Sequence, residues 1–255
     1  MSVEYAPRGL VGVLTPQANT TVEPEFAILF PPGIGMINAR LLSAKPAMEA
    51  RLVDYFDQLE TAAQQFANAP IGVLAIACTG ASYLAGVARE RAALDRLAER
   101  TGVPAVTAAS AVVDALRLLG ARRIGLVSPY PPGLTRSSVA YWQAQGFAVE
   151  AVAEAETDAG EFHPIYALPS GRASQGLDRI GRADLDAIVM LGTGMPTLRP
   201  IRERPRLGAA PVMSCMLCLA WRAVAALDRE ADAAAALLRW ISAAEWGPRL
   251  DARFG

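Results

Sequence analysis

Short apolar runs alternate along this chain with longer stretches whose apolar positions recur at helical spacing. The runs at 10–15, 36–42, 71–77, 105–107, 123–128, 148–153, 185–191 and 210–213 have strand length. Between them, 49–68 carries Leu52, Phe56, Leu59, Ala63 and Phe66 at the spacing of one amphipathic helix. Further helices are expected from the turn after Cys78 to about Arg100, from Ser110 to a stop at Gly120, and over 135–145 and 173–180. Another opens at Ser214 and runs to about Leu227, and an Ala- and Leu-rich tail helix over 229–246 ends at Trp246-Gly247-Pro248. Polar residues follow the first run at 16–21, with Glu23 and Glu25 beyond, as at a loop that opens a helix. This alternation predicts an α/β fold, with parallel sheets covered by helices on both faces.

The two halves echo each other. Gly12-Val13-Leu14-Thr15-Pro16 matches Gly125-Leu126-Val127-Ser128-Pro129, and Cys78-Thr79-Gly80 matches Gly192-Thr193-Gly194. Pro104-Ala105-Val106 matches Pro211-Val212-Met213, each with a helix just beyond. Three matches in one order point to a duplication. The expected organisation is a first lobe over 1–112, a second over 113–228, and a helical tail over 229–255 that packs on the first lobe or on a partner subunit. An approximate two-fold would bring the carboxyl ends of both central strands to one cleft, where open α/β sheets bind ligands.

The candidate chemistry sits at that point. The apolar run 71–77 breaks directly into Cys78-Thr79-Gly80 and a helical pattern. The free N–H groups of a helix start favour anions and lower a neighbouring thiol's pKa, so the stretch proposes a thiolate beside an anion cradle. The competing reading is a buried structural cysteine. Thr79, Gly80, Thr193 and Gly194 can present N–H groups and hydroxyls to carboxylate oxygens, or simply make tight turns. Asn19 can bind substrate or cap the helix that carries Glu23. Tyr130, held in Pro129-Tyr130-Pro131-Pro132, can stand over the cleft or mark a surface turn. His163 is the lone histidine, in a polar stretch at 154–170, and is kept as a secondary candidate. Cys215 and Cys218 have C-x-x-C spacing, but no second pair completes a metal site and their apolar neighbours suggest a core-facing helix.

Composition narrows the setting. The 255 residues are 53% hydrophobic with a formal net charge of −1, which gives no electrostatic reason to expect nucleic acid or an anionic membrane as partner. No apolar run reaches membrane-spanning length, and the first residues lack the pattern of a signal peptide. Three cysteines make no disulfide framework, so a cytoplasmic protein is expected. No phosphate-binding glycine loop is present and no metal cluster is apparent, so neither cofactor nor metal is expected.

The chain resembles the Asp/Glu racemase superfamily, in its maleate isomerase and arylmalonate decarboxylase branch. The resemblance is carried by GVLTPQANTTVEPE (12–25), AIACTGAS (75–82), TGVPAVTAASAVVDALRLLGARRIGLVSPY (101–130), AIVMLGTGMPTL (187–198) and APVMSCMLCLAWRAV (210–224). It implies two Rossmann-like lobes with the active site between them. It also implies that Cys78 is the nucleophile, and that Asn19 and Tyr130 help to hold substrate carboxylates. The racemases place one cysteine in each lobe, and the decarboxylases keep a glycine first and a cysteine second. This chain has Cys78 first and Gly192 second.

A single sulfur suits cis-trans isomerisation of a small unsaturated diacid by covalent addition better than racemisation, which exchanges protons on two faces. The second reading is a cofactor-independent decarboxylase of arylmalonate-type acids, or a one-base isomerase, with Cys78 as acid and Gly192 leaving room for a bulky substituent. The third is a small-acid binding protein without turnover. A homo-oligomer is compatible with all three.

Overall fold

The computed structural model describes residues 3–155, 165–181, 184–228 and 232–254. In the first lobe the order is β1 (Gly9–Pro16), α1 (Val22–Leu29), β2 (Ile34–Leu41), α2 (Met48–Asp57), α3 (Leu59–Ala63), β3 (Val73–Ile76), α4 (Thr79–Ala85), α5 (Val87–Thr101) and β4 (Ala105–Thr107). Helix α6 (Ala108–Leu118) carries the chain across to β5 (Arg123–Ser128), α7 (Pro132–Ala144), β6 (Ala148–Glu154), α8 (Ser170–Ile180) and β7 (Ala187–Met190). Then come α9 (Leu198–Glu203), β8 (Arg206–Leu207), β9 (Ala210–Ser214), α10 (Cys215–Asp228), α11 (Ala233–Ile241) and α12 (Gly247–Phe254).

The sheets run β2-β1-β3-β4 and β6-β5-β7-β9-β8, so the first four positions of each repeat one strand order. All pairings are parallel except β8 on β9, an antiparallel edge strand that the apolar pattern did not announce. The central strands β3 and β7 are buried at every residue, as expected of parallel strands covered on both faces. Among the described residues no helix is long and apolar enough to cross a membrane.

Three helical expectations change. The helix expected over 49–68 is broken at Gln58 (φ −95°, ψ 1°) and tightens to a 3-10 turn at Gln64–Phe66. The helix expected after Cys78 is divided at Gly86, whose φ of +77° ends α4 and redirects the chain into α5. Gly247-Pro248 opens α12 rather than ending the tail, because proline lacks only an N–H that a first helical turn leaves unpaired anyway. At the other extreme, Thr107 and Ser110 form a reciprocal capping box, so α6 starts where its polar residues say it should.

The lobes are held together through buried side chains. Helix α10 of the second lobe packs on α6, on α1 and on strands β3 and β4 of the first. The tail also bridges: Arg249 donates to the carbonyls of Ile28 (2.6 Å) and Leu29 (2.8 Å) at the end of α1, while Asp251 pairs with Arg202 of α9 at 2.8 Å.

Candidate active site

The carboxyl ends of β1, β3, β5 and β7 meet between the lobes and enclose a cavity of about 30 Å3. Cys78, Thr79 and Gly80 line one side, Gly192, Thr193 and Gly194 the other, and Tyr130 completes the floor. The structure thus brings together every residue expected at the site except two. Asn19 does not line the cavity, and His163 lies outside the described residues.

Each turn's threonine is tied to the opposite lobe. The Thr79 hydroxyl lies 2.9 Å from the Tyr130 hydroxyl, and Thr193 Oγ1 donates to the Ala77 carbonyl at 2.7 Å. Asn19 works behind this floor. Its Oδ1 accepts from the N–H groups of Thr21 (2.8 Å) and Val22 (3.2 Å), which caps α1, and its Nδ2 donates to the Thr193 carbonyl at 3.2 Å. Both ends of the Asn19 amide are therefore engaged, Oδ1 by the start of α1 and Nδ2 by Thr193. Of the expected residues, those left lining the cavity are Cys78, the two small-residue turns and Tyr130.

Glycine is needed where neighbours crowd the turns. A Cβ on Gly194 would sit 2.4 Å from Cδ1 of Tyr166, and one on Gly80 would sit 2.8 Å from Cδ1 of Leu52. At Gly192 the φ is +85°, and a Cβ would stand 3.2 Å from the Tyr130 hydroxyl. The space left by the missing second cysteine is occupied by that phenol, not kept open for a substrate substituent as the sequence suggested.

Cys78 precedes α4 and is 3% exposed. The expected lowering of its thiol pKa does not occur: burial pushes it from 9.0 up to about 12, against one opposing contact from the Ala81 N–H. The magnitudes explain the reversal. A helix terminus contributes roughly 0.3–1 kcal/mol, less than one pH unit, whereas burial displaces a pKa by up to about 3–5 units. Burial likewise holds Tyr130 well above its ordinary value, so it is a proton donor at neutral pH.

Cys215 and Cys218 are fully buried on α10, as their apolar neighbours implied. Cys215 accepts the Gly192 N–H and lies against the hydroxyls of Tyr83 and Thr79 from behind the floor, outside the cavity lining. Among the described residues no group of three His, Cys, Asp or Glu is placed to hold a metal ion.

The wall opposite the floor escaped the sequence reading. Met48, Arg51, Leu52 and Tyr55 of α2 line it, with Ile165 and Tyr166 from the second lobe. Their i, i+3, i+4, i+7 spacing was the available signal. It was masked by the stronger apolar stripe through Leu52 and Phe56.

Two lobes of one repeated strand order, facing each other across a small cleft that holds one thiol, are the arrangement that the resemblance to the Asp/Glu racemase superfamily implied. The arylmalonate decarboxylase family model matches residues 11–238, and the chain belongs to that family. It is 26% identical over 241 residues to a maleate isomerase of Pseudomonas putida, covering 86% of this chain and 92% of the relative. The crystal structure of a Pseudomonas putida maleate isomerase superposes with a TM-score of 0.78 at 26% identity, over 86% of this chain and 93% of that one. A cysteine-to-serine mutant of the Nocardia farcinica maleate cis-trans isomerase, solved with a covalently bound succinylcysteine intermediate, matches with a TM-score of 0.76 at 25% identity, over 86% and 93% of the two chains.

Proposed function

We propose that this protein is a cofactor-independent cis-trans isomerase of a small, maleate-like unsaturated diacid. The observation that carries the reading is the placement of Cys78 in a cavity lined by the two small-residue turns of the two lobes, with Gly192 opposite it. Relatives named as maleate isomerases, one of them caught as a succinylcysteine, support it.

The chemistry follows from the geometry. As the Cys78 sulfur bonds to one alkene carbon, the π electrons move through the other carbon into its carboxylate. That carboxylate becomes strongly basic as it gains charge, and it takes the proton the sulfur gives up. A buried thiol with a pKa of about 12 can therefore react without a separate base. Tyr130, Thr79 and the turn N–H groups stabilise the developing charge. The former double bond is now single and rotates. The electrons then return, the C–S bond breaks, the sulfur recovers its proton, and the trans diacid leaves. No step calls for a second sulfur at Gly192. The three free cysteines suit a cytoplasmic enzyme.

A second reading, decarboxylation of an arylmalonate-type acid with Cys78 as the proton donor, is favoured by the family model itself. A proton NMR time course in D2O with maleate and phenylmalonate together, beside Cys78→Ala, separates the two. Fumarate without deuterium, dependent on Cys78, is the expected result. Deuterated phenylacetate would replace the isomerase by the decarboxylase. Ligand-induced stabilisation that survives Cys78→Ala, with neither product formed, would leave a binding protein.

A further inference from the structure

We infer that Arg51 is the specificity-determining cation of this site, receiving the carboxylate of the substrate that lies away from Cys78. The inference rests on the diacid reading and adds what that reading leaves open, namely what recognises the second charge.

Arg51 is the one cation lining the cavity among the described residues. Its Nη1 donates to the carbonyls of Lys45 (3.2 Å) and Pro46 (2.7 Å), in the turn that leads into α2. Those two bonds hold the guanidinium in place and use both Nη1 hydrogens. Nε and Nη2 have no protein partner among the described residues, and no carboxylate pairs with the group. Nε and Nη2 form one edge of the planar fork, which matches a carboxylate with two parallel hydrogen bonds.

An anion in the cavity would supply the counter-charge that Arg51 lacks among the described residues. Arg51 stands in the first turn of α2, where the helix dipole favours negative charge and a cation gains nothing. It is half-buried and shares the cavity wall with Tyr55, Tyr166 and the apolar Met48, Leu52 and Ile165. An anchored, unpaired cation there supplies the charge complement that the floor lacks. The floor is built from neutral donors suited to the carboxylate in which charge develops. Arg51 would take the other one, whose charge persists through the reaction. An acid whose far end is uncharged forfeits this contact, so Arg51 selects diacids over monoacids of the same length.

The test compares wild type, Arg51→Leu and Arg51→Lys by steady-state isomerisation of maleate and of its monoamide, and by stabilisation with succinate, a diacid that cannot react. Arg51→Leu is expected to raise KM for maleate by about 10- to 100-fold while kcat changes little, the range for losing a hydrogen bond to a charged group. The monoamide should lose its disadvantage against maleate in that variant. Arg51→Lys should recover part of the loss, and it stands in if the leucine variant fails to fold. Succinate should stabilise wild type and lose that effect by a similar factor in Arg51→Leu.

The outcomes are separable. If wild type isomerises maleate and Arg51→Leu keeps KM and succinate affinity within two-fold, the inference falls and the isomerase stands. If wild type does not turn over maleate but binds succinate through Arg51, the isomerase reading falls and the diacid subsite stands. Failure of succinate to stabilise wild type overturns the inference.

Discussion

Glu25 offers the sharpest test of how the two lobes are held in register around the site. It lies in α1 of the first lobe, 5% exposed, and reaches the start of α9 in the second. Its Oε1 accepts the N–H groups of Thr197 (2.7 Å) and Leu198 (3.3 Å). Its Oε2 faces the Thr197 hydroxyl at 3.4 Å, but that hydroxyl lies closer, at 2.8 Å, to Ser214 Oγ. One carboxylate oxygen is therefore well served and the other poorly. Burial pushes the Glu25 pKa from 4.5 up to about 7, with the two backbone N–H bonds opposing it. Below pH 4.5 the carboxyl is protonated both folded and unfolded. Between 4.5 and about 7 the folded state holds a proton that the unfolded chain has lost, so stability falls as pH rises through this window. At about 1.4 kcal/mol per pH unit, the loss approaches roughly 3 kcal/mol before it levels off above neutrality.

Glu25→Gln removes the titration and keeps the geometry. The amide oxygen can accept both N–H bonds, and the amide nitrogen can donate to the Thr197 hydroxyl as the protonated acid does. Guanidinium unfolding of wild type and variant at pH 5, 6, 7 and 8 reads the difference, and the other carboxylates cancel because both proteins share them. The variant should gain on wild type steadily from pH 5 to about 7, by up to about 3 kcal/mol. A difference that stays flat with pH, or that moves in favour of wild type as pH rises, would refute the argument that burial outweighs the cross-lobe hydrogen bonds.

Cys78, held up to about 12 by burial, should be alkylated by iodoacetamide at a rate that climbs about tenfold per pH unit through pH 9 without a plateau; levelling below pH 8 would contradict the buried-thiol account. Gly192→Ala places a side chain at a φ of +85° and 3.2 Å from the Tyr130 hydroxyl, so thermal unfolding should show a loss of about 1–2 kcal/mol, with a weakened kcat. Tyr130→Phe removes the phenol that shares a 2.9 Å bond with Thr79, and kcat should fall by about 10²–10³-fold with the fold intact by circular dichroism; full activity would remove Tyr130 from the charge-stabilising set.

The twin strand orders were legible because each central strand is an apolar run ended by a small-residue turn, and the turns repeat in sequence. Strands β4 and β5 begin and end where the pattern places them. The break at Gln58 was not legible, since no glycine or proline marks it. The excursion through α9 and β8 is too short to carry a period. At the site, the residues fixed by strand ends could be read from the chain. The state of the thiol could not, because it depends on how completely the two lobes exclude water from the cleft. Asn19 shows the same limit: its position at the end of β1 is readable, but the carbonyl it holds belongs to a residue 174 positions away. Arg51 and Tyr166 come from elements that meet only when the lobes close on one another.

The stripe of Met48, Arg51, Leu52 and Tyr55 sits on one face of a ten-residue helix, while the floor is made of Cys78, Tyr130 and two turns whose threonines are tied across the lobes. On the proposed reading, chemistry and selectivity are thereby kept on separate parts of the polypeptide. A lineage built this way can change its diet by single substitutions on α2 without touching the reaction. The same separation gives a protein engineer four adjacent positions at which to search for new acids while the nucleophile and its cradle stay as they are.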